Sequence, residues 1–68
     1  MNRIIELMKR GVSVNLLAME NGNVLVGCAI QQGEVNASVN QSVKAEVLTE
    51  QELEATLVKL AGRMGVEV

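Results

Sequence analysis

The rhythm of apolar and polar residues changes along this chain, and each change marks an element. Over residues 2–10, Ile4, Ile5, Leu7 and Met8 fall on one side of a helical wheel, with Arg3, Glu6 and Arg10 on the other; this predicts a short amphipathic helix. Gly11 stands where such a helix stops, and Lys9 and Arg10 suit the negative end of its dipole. From Val12 the period becomes two. Val12, Val14, Leu16 and Ala18 share one face, then Val24, Val26, Cys28 and Ile30 alternate again, with Asn21-Gly22 between the runs as a hairpin signal.

Register decides the form of that hairpin. A two-residue Asn21-Gly22 loop would put the two apolar sets on opposite faces of the ribbon. A three-residue loop Glu20-Asn21-Gly22, with Gly22 left-handed, pairs Ala18 with Val24, Leu16 with Val26 and Val14 with Cys28, and so gathers them on one face. A two-residue turn at Gln32-Gly33 would then pair Ile30 with Val35, Cys28 with Ala37 and Val26 with Val39.

From Glu34 to Val47 the odd positions read Val35, Ala37, Val39, Gln41, Val43, Ala45 and Val47 and the even ones are polar; only Gln41 breaks the alternation. One strand of this length would run to about 45 Å, too long for so small a domain. Two expectations follow. Either the chain turns at Asn40-Gln41-Ser42, pairing Val39 with Val43 and making a fourth strand, or the strand crosses into a second subunit.

Thr49 followed by Glu52 is a capping box, and Leu53, Leu57, Leu60, Ala61 and Met64 recur at helical spacing, so a second helix begins here. Gly62 and Gly65 are its expected end, and Val66-Glu67-Val68 its extended tail, either an added edge strand or a fraying end. The assembled expectation is a single α+β domain over residues 1–68. It is a two-layer sandwich in which an antiparallel meander of three or four strands carries both helices on one face.

Composition then narrows the chemistry. The 68 residues include no His, Asp, Pro or aromatic residue and a single Cys, with a formal net charge of −2. No imidazole is present to shuttle protons or bind metal, and one Cys makes neither a zinc site nor an internal disulfide. No Ser is accompanied by a base, and no glycine-rich phosphate loop precedes a helix. Glu50, Glu52 and Glu54 spread around a first helical turn rather than converging, and Cys28 falls on the inward face of its strand as a small hydrophobe. No catalytic residue, cofactor or metal is therefore expected. The first ten residues lack the apolar stretch of a signal peptide and no run approaches a membrane span, so a cytoplasmic protein off the membrane is expected.

With no ring, disulfide or metal to enlarge the core, the remaining staple for so small a fold is another protein surface. The outer sheet face should carry Ser13, Asn15, Glu34, Asn36, Ser38, Asn40, Ser42, Lys44 and Glu46. It should also carry Leu17, Met19 and Leu25 beside the small residues Gly27 and Ala29, a strip suited to close approach by another backbone. The expected function is a non-catalytic interaction or regulatory module, a homodimer that also docks another protein. Small plasmid and phage proteins often share this size and plainness.

Nucleic acid is the alternative. A helix, three strands and a helix is also the order of double-stranded-RNA-binding domains, and Arg3, Lys9 and Arg10 would supply the contacts if dimerisation gathered them. The resemblance is to topology alone. Where those domains start the last helix with lysines, this chain has Glu50, Gln51, Glu52 and Glu54, which repel phosphate, and no aromatic ring is present to stack on bases.

Overall fold

The computed structural model describes residues 2–68. Its elements are α1 (Asn2–Lys9), β1 (Ser13–Ala18), β2 (Asn23–Gln32), β3 (Val35–Lys44), a single 3₁₀ turn (Ala45–Val47) and α2 (Glu50–Arg63). The strands form one antiparallel sheet in the order β1-β2-β3, and the molecule is a slab of 36 × 24 × 15 Å. The α+β meander expected from the alternation is the fold observed.

Both helices end in the same device. After α1, the Gly11 N–H donates to the Met8 carbonyl and the Val12 N–H to that of Leu7, with Gly11 at φ +90°. After α2, the Gly65 N–H donates to the Gly62 carbonyl and the Val66 N–H to that of Ala61, with Gly65 at φ +86°. These are Schellman pairs. The residue after each glycine folds back, so Val12 is buried and Val66 packs against the core. Gly62 lies inside α2 rather than ending it, because Gly65 supplies the left-handed residue. The tail joins no strand; the Arg10 guanidinium holds it by donating to the Glu67 carbonyl at 2.6 Å.

The first hairpin has the three-residue loop. Ala18 pairs with Val24, Leu16 with Val26 and Val14 with Cys28, and Gly22 takes φ +83°. The Met19 N–H donates to the Asn23 carbonyl at 2.9 Å, and Asn21 Oδ1 accepts from the Asn23 N–H inside the loop.

The second hairpin departs from expectation by two residues. Its turn is Gly33-Glu34, so Ile30 pairs with Ala37, Cys28 with Val39 and Val26 with Gln41. Gly33 has φ +63° while Glu34 does not have positive φ, the pattern of a type II′ turn with glycine at its first central position. The same faces stay inward because the slip is an even number.

This register also removes the length problem. All ten residues of β3 pair with the ten of β2, at about 33 Å, within the length of the slab. The chain does not turn at Asn40-Gln41-Ser42, the described residues contain no fourth strand, and β3 needs no second subunit to hold its length. It ends because Ala45–Val47 coil into the 3₁₀ turn, where Glu46 leaves the sheet face; Glu34 leaves it in the Gly33 turn.

Thr49 caps α2, its hydroxyl accepting from the Glu52 N–H at 3.1 Å. One face of α2 then buries Leu57, Leu60 and Ala61 against Val26 and Cys28 of the central strand, and α1 adds Ile4 and Leu7. Each fully buried leucine contributes about 1.5–3 kcal/mol. Of the apolar stripe on α1 only half is used: Ile5 and Met8 are at least half exposed. The helix lies over the edge strand β1 and against α2, which leaves that flank exposed.

Candidate interaction surface

Both helices occupy one face of the sheet, so the opposite face is bare. Its register brings residues from all three strands into rows: Ser13, Ala29 and Ser38; Asn15, Gly27 and Asn40; Leu17, Leu25 and Ser42. The polar residues expected there from β1 and β3 are there. Leu17 is 60 % exposed and Met19 37 %, Leu25 and Ala29 are half-buried, and the three large apolar residues gather toward the first hairpin loop. Met19 Sδ accepts from the Ser42 hydroxyl at 3.9 Å, and Ser42 also accepts from the Asn23 amide at 3.0 Å. These bonds fix the polar border of the apolar patch.

Gly27 differs from the open strip expected of it. It is buried, because the Asn40 side chain opposite folds over it; a methyl group there would overlap Asn40 Oδ1. The close approach that this glycine permits is internal and polar. What remains for another molecule is the Leu17-Leu25 row with Met19, and Ala29 at the far end.

The chemistry of the depressions is poor. One, of about 320 Å³, lies on the sheet among Ser13, Ala29, Gln31, Asn36 and Ser38 and is lined by no ionisable group. A second, of about 360 Å³, is formed by Asn21, Gly22, Asn23 and Lys44–Glu46, where a lone Lys and a lone Glu meet loop backbone. Among the described residues no three His, Cys, Asp or Glu side chains come together as a metal site would require. Cys28 is buried in the core and burial raises its thiol pKa above the ordinary value, as expected of a structural cysteine.

The basic residues of α1, and Arg10 just after it, are engaged within the chain. Arg3 Nε donates to Glu54 Oε1 at 3.1 Å, Lys9 lies 3.9 Å from Glu6, and Arg10 holds the Glu67 carbonyl. Glu54 accordingly is not a freely solvated carboxylate of the first turn; its side chain is 18 % exposed and joins the two helices. Sequence reasoning could not foresee this pairing across 51 positions, since it depends on how α1 lies against α2. No described helix is long and apolar enough to cross a membrane.

No protein-family model matches the chain, and neither a curated protein nor a solved structure was found similar to it. The surface itself is the ground for a functional reading.

Proposed function

We propose that the chain is a non-catalytic protein–protein interaction module that works as a homodimer and docks another protein on the outer sheet face around Leu17, Met19, Leu25 and Ala29. The observation that carries this is the uncovered Leu17-Leu25 pair: two leucines directly opposite each other, on a sheet face that neither helix covers. The polar depressions without ionisable clusters support the non-catalytic part. Arg3 and Arg10, already bonded within the chain, have less to offer a phosphate backbone, so the nucleic-acid alternative is not favoured.

The test is site-specific photo-crosslinking in the cell of origin, with the reactive side chain at position 17 or, as a reference, at position 51 on the exposed side of α2. A discrete adduct from position 17, absent from position 51 and lost with Leu25→Glu, is expected. Equal labelling from both positions overturns the docking reading.

A further inference from the structure

We propose that two copies of this chain pair along β1, antiparallel about a two-fold axis at Leu16, to make one continuous six-stranded sheet; this rests on the homodimer reading above and names its interface. The main-chain pattern comes first. The Met19 N–H bonds to Asn23, its direct partner, and bonded pairs alternate along an antiparallel ladder. Ser13, Asn15 and Leu17 therefore bond toward β2, whereas the N–H and C=O groups of Val14, Leu16 and Ala18 point out from the sheet edge. Val12 cannot extend the row, its N–H being committed to Leu7.

A second β1 satisfies these groups only by matching even residues with even residues. The pairing that uses all three sets Leu16 opposite the partner's Leu16 and Val14 opposite the partner's Ala18. Residues directly opposite share a sheet face. The same parity therefore places the helices of both copies on one side, without being asked to.

Side chains agree with that geometry. Edge strands are ordinarily blunted by charge, proline, a bulge or a covering element. β1, Ser-Val-Asn-Leu-Leu-Ala, has no charge and no proline, and it pairs with β2 without a bulge. Leu16 is 53 % exposed on the helix-bearing face and Leu17 60 % on the other. Above the edge, Ile5 at 50 % and Met8 at 57 % stand about 200° and 140° around α1 from Arg3, the residue that faces α2. They are turned away from the rest of the chain, toward where a second α1 would lie. The other edge, β3, carries Asn36, Ser38, Asn40 and Ser42 on the outer face and a charge, Lys44, at its end, and its strongly exposed Val35 stands beside the second turn.

Because residue 16 faces itself, charge can interrogate it. Sedimentation equilibrium of the full chain should show a dimer. Leu16→Lys and Leu16→Glu, each alone, should weaken association by about 100-fold or more, since each puts like charges face to face. An equimolar mixture of the two should dimerise again, which no interface remote from residue 16 would produce. Circular dichroism checks that the variants are folded. Should either unfold, Leu16→Cys decides: bonded partners stand about 5.5 Å apart at Cα, so a short thiol-to-thiol crosslinker should join the two copies at residue 16, and the absence of a covalent dimer overturns the proposal. A wild-type dimer indifferent to charge at residue 16 overturns this interface and leaves the homodimer reading intact. A wild-type monomer at micromolar concentration overturns both.

Discussion

The Asn40 side chain lies across the main chain of Gly27, the residue directly opposite it on the neighbouring strand. A glycine in the middle of a central strand gives up conformational entropy and leaves a gap in its row; here the gap is filled from the adjacent strand.

Gly27 does not have positive φ, so alanine suits its backbone and should gain about 0.5 kcal/mol of chain entropy. Against that, Asn40 must rotate away, and its amide is an exposed, flexible group free to do so. Gly27→Ala is therefore expected to stabilise by about 0.5 kcal/mol in an Asn40→Ala background and by less in the wild type. A urea double-mutant cycle measures the difference, which is the energy of the Asn40 overlay. A wild-type loss larger than about 1 kcal/mol would show that Asn40 is held in place.

Gly33 carries the second hairpin at φ +63°, where a Cβ is strained but unobstructed. Gly33→Ala should cost about 1 kcal/mol, and thermal unfolding should fall by about 4–8 °C for a chain of this size. Glu34→Ala should have little effect, since Glu34 occupies the ordinary second position of the turn.

These two glycines show where legibility in the sequence ended. Alternation sorted Val14, Leu16, Val26, Cys28 and Val39 to one face correctly, because a period of two permits only even slips. It could not choose between turns at Gln32-Gly33 and Gly33-Glu34, which differ by one such slip and bury the same side chains. That choice belongs to local turn geometry. The slip hid the pairing of Asn40 with Gly27, whereas Gln41 read as a loop residue for another reason: it breaks the alternation in a run too long for one strand, and the strand in fact passes through it and ends at Lys44. The outer patch was readable because face assignment survives the slip. The free flank of α1 was not, because Ile5 and Met8 look like core until the helix is seen to lie over an edge strand.

Thr49 accepts the Glu52 N–H at the start of the helix that supplies three of the eight buried apolar residues, Leu57, Leu60 and Ala61. Thr49→Ala should cost about 1 kcal/mol and Thr49→Asp should retain the cap, as read from urea midpoints.

Cys28 is 1 % exposed, and burial raises its thiol pKa from 9.0. The folded chain holds the proton to higher pH than the unfolded chain, so the contribution is fully present below 9.0 and stability declines as pH rises past that value. Urea midpoints measured on either side of that pH should show the decline, and Cys28→Ala should reduce its slope. Alkylation at neutral pH should proceed only as fast as the core opens, so iodoacetamide labelling should accelerate in step with added urea.

Gln41 is the one polar residue in the inward row of β3, half-buried opposite the fully buried Val26 and flanked along its own strand by Val39 and Val43, both packed on the core. No buried side-chain nitrogen or oxygen among the described residues lacks a partner, so its amide reaches solvent from the rim of the core rather than serving within it. A branched apolar side chain suits that position better. Gln41→Val should stabilise by about 1 kcal/mol, raising the midpoint of thermal unfolding by about 4–8 °C. Gln41→Glu should do the reverse: a half-buried carboxylate is costlier ionised than neutral, so its penalty should grow as pH rises through the carboxylate range. Thermal melts of the two variants on either side of that range test both signs. A loss on substitution by valine would mean that the amide makes a contact in the assembled protein that the single chain does not supply.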